Sequence, residues 1–203
     1  MNIQHEQPIF GLSAPSAAGK TWLVKRLIEN GHVRGWPSVT TRPPRPGEIS
    51  TDYDHRFVSS ETFHDWRKAG RFVIEAEIYG HDYGLTEPVP DYLPALVLLK
   101  PSVIHPFRRA FGERAVVFGV HSENGREVAE HLMIERKQNP DDIERRLATY
   151  TAEIELNQLL IDPTKYFIAS GHPQEILPKL VQSISNHVVS NDHENILFDL
   201  TSI

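Results

Sequence analysis

The 203-residue sequence contains no cysteine, which excludes disulfide bonds and metal sites built from thiolates. Long apolar runs are also missing, since the longest, residues 95–99, is far shorter than the roughly 20 residues that span a bilayer. The first eight residues are polar and show no basic cap followed by an apolar core, as a secretion signal would. These absences predict a soluble, cytoplasmic protein without a membrane partner.

Basic residues are outnumbered, because 21 Lys and Arg stand against 27 Asp and Glu, giving a net charge of −6. Nucleic acids and anionic membranes favour a basic face, so the charge balance predicts a small-molecule partner instead. The eleven histidines, among them His121, His131 and His172, are scattered and show no zinc-motif spacing near a third ligand. We therefore expect no dedicated metal cage, and a monomer or homodimer of one compact domain.

Apolar runs and helical periods alternate along the chain. Strands are predicted at residues 9–12, 72–79, 95–99, 115–120 and 166–169, and helices at residues 20–29, 60–69, 124–137, 141–160 and within 174–186, with a short helix around Phe107 and Phe111. Parallel strands need crossover connections, so the alternation predicts a mainly parallel sheet with helices on both faces. The last stretch, "SNDHENILFDLTSI", is either a frayed tail or a strand that pairs with a partner.

A phosphate-binding loop is predicted by "SAPSAAGKTW", residues 13–22, between the first strand and the first helix. In such a loop a glycine permits the turn, a lysine meets the β- and γ-phosphates, and a hydroxyl binds Mg²⁺. Gly19, Lys20 and Thr21 supply these parts, although Ala14 stands where the first glycine is expected. An ordinary glycine-capped turn is the alternative. The residues predicted to bind ATP are Ser16, Ala17, Ala18, Gly19, Lys20 and Thr21, with Thr21 also binding Mg²⁺.

A second anion site is predicted by "SVTTRPPRPGE", residues 38–48. Guanidinium groups bind phosphate oxygens in bidentate geometry, and prolines stiffen the loop that presents them. The segment is therefore typical of a clamp for a phosphate monoester. The alternative is a proline-rich surface loop with solvated arginines.

Together with "FVSSETF", "AGRFVIEAEIYGHDYG" and "IERRL", these motifs resemble the guanylate kinase family of nucleoside monophosphate kinases, over residues 8–186 and most strongly over 38–84. The resemblance implies an α/β, three-layer P-loop kinase fold with a mainly parallel central sheet, a small acceptor-binding subdomain and a helical lid. The chain would be a single domain, residues 1–203. Its expected parts are a core (residues 8–37 and 95–187), a lid near 125–146, an acceptor-binding subdomain (38–94) and a tail (188–203).

Several site residues follow from this resemblance. It implies that Arg42 and Arg45 hold the acceptor phosphate, with the Tyr83 hydroxyl beside them. The family's second phosphate-binding tyrosine falls at Tyr53 or His55, because "STDYDHRF" carries an extra residue. Further implied residues are Ser38, which contacts the guanine, and the lid arginine Arg146, with Arg136 as a weaker candidate.

The sequence departs from the family at the base-reading positions. The family's guanine-reading glutamate aligns with Ile74, with Glu75 next to it, and a small hydroxyl residue is replaced by Leu85. The strand ending at Lys100 lacks the expected acidic residues. Either a bulge brings Glu75 to the acceptor, or the acceptor is another phosphorylated molecule.

The leading hypothesis is therefore an ATP-dependent kinase that acts on GMP or a related nucleotide or sugar phosphate. Its catalytic residues would be Lys20, Arg42 and Arg146, with ATP and Mg²⁺ as cofactors. An acceptor phosphate oxygen would attack the γ-phosphorus in line, without a general base, because a phosphate monoester is already ionised near neutral pH. The competing hypothesis is a non-catalytic binding module of the same fold, but such modules commonly lose the P-loop lysine.

Overall fold

A computed structural model describes residues 7–15, 18–88, 91–170 and 172–200. The strands, in chain order, are β1 (Ile9–Ser13), β2 (Arg34–Gly35), β3 (Ser38–Thr40), β4 (His55–Phe57), β5 (Phe72–Ile78), β6 (His81–Thr86), β7 (Ala95–Leu99), β8 (Ala115–Ser122) and β9 (Tyr166–Ala169). The helices are α1 (Lys20–Glu29), α2 (Ser60–Lys68), α3 (Ile104–Phe111), α4 (Gly125–Glu135), α5 (Pro140–Ala148), α6 (Tyr150–Leu160) and α7 (Leu177–Leu200).

The larger sheet has the strand order β2-β7-β1-β8-β9, and its neighbouring strands pair in parallel. In the central strand β1, Phe10 and Leu12 belong to one buried cluster while Ile9 belongs to the other. Both faces of a parallel sheet are buried, which explains the uninterrupted apolar runs. The predicted mainly parallel central sheet is confirmed.

Helices cover both faces of this sheet. On one face, α1 and α7 pack through Leu23, Leu27 and Leu180. On the other face, α3 packs through Phe107 and Phe111. The helix–sheet–helix layering agrees with the predicted three-layer fold.

The smaller sheet has the order β4-β3-β6-β5, with β3 antiparallel to β6 and parallel to β4. Helix α2 lies against it and begins where the Ser59 hydroxyl accepts a hydrogen bond from the Thr62 N–H at 3.1 Å. The helix ends before Gly70, whose φ of 64° is a left-handed conformation that favours glycine. These elements fall within residues 38–94, the segment expected to bind the acceptor.

Helices α4 and α5 cover the residues where the lid is expected, and they share a small core with the start of α6. The apolar stripe predicted for residues 141–160 contributes Leu147 and Tyr150 to this core, which also contains Ala129 and Met133. The prediction of one continuous helix is wrong, because the chain breaks at Thr149 into α5 and α6.

The C-terminal helix α7 extends to Leu200, beyond the range predicted for it. The segment from residue 190 to residue 200 is therefore helical and is neither a strand nor a frayed tail. Within the described residues, no helix combines the length and apolar character needed to cross a membrane.

Candidate active site

The described end of the loop between β1 and α1 turns into the helix at a glycine. Gly19 caps α1 with φ 81°, and a Cβ added there would lie 2.5 Å from Pro173 Cγ, so both conformation and space require glycine. Ala14 is fully buried and is not among the described non-glycine residues with positive φ. An alanine therefore fits at this position without backbone strain. Two residues predicted to bind ATP, Ser16 and Ala17, lie outside the described residues.

Lys20 opens α1 and turns back across the loop. Its ammonium donates hydrogen bonds to the carbonyl oxygens of Ala14 at 2.7 Å and Pro15 at 2.9 Å. Burial, reinforced by the nearby charge of Lys100, lowers the pKa of Lys20 to about 7. The lysine is thus held inside the loop in a position where an added negative charge would stabilise its protonated form.

The arginine segment, residues 38–48, which is expected to act as a phosphate clamp, is ordered by its own hydrogen bonds to Glu48. Arg42 donates two hydrogen bonds to the Glu48 carboxylate, at 2.8 and 2.9 Å, and the Arg45 N–H donates a third at 2.8 Å. Burial opposes ionisation of Glu48, but these bonds prevail and lower its pKa to about 2. Arg42 Nε is buried without a hydrogen-bond partner among the described residues.

A third arginine, Arg146 of α5, lies near the two arginines of this segment. Burial, together with the nearby charges of Arg146 and Arg42, lowers the pKa of Arg45 to about 10. Arg146 comes from α5, where its guanidinium donates to Gln138 Oε1 at 2.9 Å, and burial lowers its pKa also. Mutual repulsion of this kind arises only when cations are concentrated, so the clamp is suited to a multiply charged anion.

One cleft of about 1220 Å³ connects the Lys20 loop with the arginine segment, where the two anion sites are expected. Lys20 and Thr21 line it from α1, Arg42 and Arg45 line it from the arginine segment, and Arg146 lines it from the lid. The weaker lid candidate, Arg136, reaches the same cleft, as do Ala18 and Gly19. The volume exceeds that of a typical site for one drug-sized ligand, and is large enough for two.

Polar groups of the small sheet line the acceptor end of the cleft. Ser38 Oγ lies 2.7 Å from His55 Nδ1, and the Tyr83 ring packs 5.7 Å from the His55 ring. Tyr53 instead packs beside Gly35 against the large core, so the structure does not place it at the acceptor. Of the two candidates that the sequence left open, His55 is the one that lines the cleft.

The floor of the acceptor end is apolar. Ile74 and Leu85 face each other across β5 and β6, and each is at most 5% exposed. The sheet register shifts between Phe72 and Ile74, yet this irregularity does not turn Glu75 into the cleft. Glu75 lies on the opposite face and pairs with Arg67 at 2.5 Å, so the expectation that it contacts the acceptor is not met.

An ion pair lies at the end of β7, where the family resemblance implies acidic residues. Lys100, which follows β7, donates to Glu153 of α6 at 2.7 Å. The Tyr79 hydroxyl donates to the same carboxylate at 2.9 Å and lies 3.1 Å from Thr149 Oγ1. This network joins the core, the small sheet and the junction between α5 and α6.

A hydroxyl and a carboxylate meet at the entrance to α1. Thr21 Oγ1 donates to Asp54 Oδ2 at 3.0 Å, and both residues line the cleft. Across the described part of the chain, no group of three or more His, Asp or Glu residues is arranged to hold a metal ion by itself. Oxygen donors of this kind fit Mg²⁺, which usually takes one or two protein ligands plus substrate phosphates.

Three cleft residues were missed by the sequence reasoning: Glu48, Asp54 and Lys100 as a member of an ion pair, as was the partner of Lys100, Glu153. Glu48 lies three residues after Arg45, within the quoted arginine segment, so a charge pattern was present there. Glu153 is 53 positions from Lys100 and belongs to another helix, and no local pattern connects them.

Comparisons with known proteins agree with this geometry. No family model matches the chain. A guanylate kinase of Rubrobacter xylanophilus is 32% identical over 148 residues, covering 70% of this chain and 77% of that protein. A guanylate kinase of Frankia casuarinae is 33% identical over 162 residues, covering 74% and 86%.

A guanylate kinase of Sphingopyxis alaskensis is 42% identical over 97 residues, and the chain spans 44% of that relative's length. Among solved structures, the guanylate kinase of Anaplasma phagocytophilum matches 90% of this chain and 86% of its own, with a TM-score of 0.66 and 23% identity. That structural likeness supports the fold. The two relatives matched over most of their length show that the chain belongs to the guanylate kinase family.

Proposed function

We propose that this protein transfers the γ-phosphate of ATP to a phosphate oxygen of a small phosphorylated acceptor. The observation that carries the proposal is the single cleft that joins the Lys20 loop to the Arg42 and Arg45 clamp. Phosphoryl transfer needs positioning and charge neutralisation rather than covalent catalysis, and two anion sites in one cleft provide both.

Each group of residues has a separate role in this proposal. Backbone N–H groups at the start of α1 and the Lys20 ammonium bind the ATP phosphates. The Arg42 and Arg45 guanidiniums hold the acceptor phosphate, and Arg146 brings positive charge from the lid. Mg²⁺ would be held through Thr21 and would neutralise charge on the transferred group. Closure of the lid would exclude water, which otherwise competes with the acceptor.

The chemical identity of the acceptor is a separate question within this proposal. The relatives are named guanylate kinases, so GMP is the first acceptor to test. Ile74 and Leu85 offer no hydrogen-bond acceptor to a guanine. A charge-assisted hydrogen bond contributes about 1.5–3 kcal/mol, so its absence removes tenfold to hundredfold discrimination. We therefore expect little preference for guanine.

The test is an ADP-release assay with ATP, Mg²⁺ and a panel of GMP, AMP, UMP and ribose 5-phosphate. We expect ADP release above the rate with ATP alone for at least one acceptor, and kcat/KM values for GMP and AMP within about tenfold. No release with any acceptor would contradict the kinase proposal. A GMP preference above about hundredfold would contradict the apolar-floor interpretation alone.

ATP binding is expected to take up a proton at pH 8. The pKa of Lys20 in the free protein is about 7, so most of the molecules hold a neutral lysine at that pH. Bound phosphates favour the ammonium and raise this pKa, and the affinity for ATP should fall as the pH rises above 7, by up to about tenfold per pH unit.

Calorimetric titration in two buffers of different ionisation enthalpy measures this uptake. We expect nearly one proton per ATP at pH 8, and a much smaller uptake in the variant Lys20→Met. The variant Lys25→Met is the control, because Lys25 is an exposed residue of the same helix. Equal heats in both buffers for the wild type would contradict a neutral Lys20.

A further inference from the structure

We infer that Asp54 is a ligand of the magnesium ion that accompanies ATP, acting together with Thr21. The inference rests on the proposed function, because it concerns the metal that this function requires. Asp54 immediately precedes β4 and belongs to the small sheet's segment, yet its carboxylate reaches the first turn of α1. It thereby connects the acceptor-binding subdomain to the P-loop.

The spacing of the two oxygens fits a magnesium site. Mg²⁺ takes octahedral ligands at 2.0–2.1 Å, which places adjacent ligand oxygens about 2.9 Å apart. Thr21 Oγ1 and Asp54 Oδ2 are 3.0 Å apart. The hydroxyl and the carboxylate thus already stand at the separation of two neighbouring ligands, and the phosphates of ATP and water would complete the coordination.

At the end of β7, where the family resemblance implies carboxylates near the metal, the chain has the cation Lys100. Lys100 follows β7 and pairs with Glu153 at 2.7 Å, so the Glu153 charge is balanced by that ammonium. Asp54 forms no ion pair with a lysine or arginine among the described ion pairs, although its charge acts on Lys20; its polar contacts are Thr21 and His55. A carboxylate outside a direct pair with lysine or arginine is the better ligand for a divalent metal.

The surroundings of Asp54 hold its carboxylate in this orientation. The Asp54 N–H donates to Thr51 Oγ1 at 3.0 Å, and its carbonyl accepts from the Ser38 N–H at 3.1 Å, which fixes the backbone on both sides. His55 Nε2 lies 3.3 Å from Asp54 Oδ1, the oxygen that does not contact Thr21. Groups behind a metal ligand orient it in this way in many metal sites.

A titration of the protein with ATP, once with Mg²⁺ and once with EDTA, tests the inference by binding alone. In the wild type we expect Mg²⁺ to strengthen ATP binding. In Asp54→Asn we expect that gain to shrink about tenfold, while binding in EDTA stays equal or becomes tighter because a negative charge is gone. Asp52→Asn, an exposed change of the same charge in the same loop, should retain the full gain.

A second variant separates metal binding from a structural hydrogen bond. Thr21→Val should lose a similar part of the gain, and the double variant should lose less than the sum, because both residues serve one ion. An undiminished gain in Asp54→Asn would overturn the inference, as would a loss of equal size in EDTA. Failure of the wild type to bind ATP under either condition would instead contradict the proposed function on which the inference rests.

Discussion

Replacing Lys20 by methionine is expected to lower kcat by about 1000-fold. The ammonium is held at the loop by the carbonyls of Ala14 and Pro15, so it is already in place when phosphates arrive. A fixed cation directed at developing charge contributes about 3–4 kcal/mol to catalysis, which corresponds to this factor. Methionine keeps the length of the side chain and removes its charge.

The measurement is single-turnover phosphoryl transfer together with calorimetric titration of ATP and Mg²⁺. Lys25→Met is the matched control, since it changes the same residue type on the exposed face of α1 and should leave kcat unchanged. Thermal melts of both variants show whether the fold is retained. A Lys20→Met protein that still turns over within tenfold of wild type would contradict the assigned role. Absence of ATP binding in the wild type would favour the binding-module hypothesis.

Replacing Arg42 by lysine is expected to raise KM for the acceptor by about 50-fold with a smaller change in kcat. Lysine keeps the charge but loses the planar pair of donors that matches two phosphate oxygens. Arg42 holds the Glu48 carboxylate in this bidentate way and stacks 5.1 Å from the Phe57 ring, which a lysine cannot reproduce. Charge-assisted hydrogen bonds of 1.5–3 kcal/mol give a factor of this order.

Steady-state kinetics at saturating ATP, with the acceptor varied, measures this effect. Arg56→Lys on the neighbouring strand β4 is the control, because Arg56 is exposed. Its KM should equal that of the wild type. A loss confined to kcat, with KM unchanged, would assign Arg42 to the transferred phosphate instead of the acceptor phosphate.

Most regular elements could be predicted from local patterns. The run Ala95–Leu99 forms β7 without any shift, because a strand buried on both faces needs uninterrupted apolar residues. The break at Thr149 could not be predicted. The apolar stripe through Leu147 and Tyr150 continues across it, while the Tyr79 hydroxyl reaches Thr149 from a distant turn.

The same distinction holds for the site: some of its residues belong to local sequence motifs, and others are placed only by contacts between distant parts of the chain. Lys20, Thr21, Arg42 and Arg45 could be placed because each belongs to a short segment with a chemical reason for its spacing. The sequence could not decide between Tyr53 and His55, because the folded structure determines which of the two side chains the extra residue in this segment places at the cleft. Asp54 and Lys100 meet their partners, Thr21 and Glu153, across long sequence separations, so only the packed structure brings these pairs together. The catalytic and binding roles of all these residues stay predictions.

The Glu48 carboxylate gives the clamp a resident anion. Under the proposed function, an arriving phosphate would exchange with this carboxylate at Arg42, so the free energy of binding would be a difference between two ion pairs. Such an exchange would favour dianionic tetrahedral groups. A ligand with a single carboxylate would gain no charge attraction by replacing the Glu48 carboxylate. In the unliganded protein, the Glu48 carboxylate would therefore compete with carboxylic acids for Arg42.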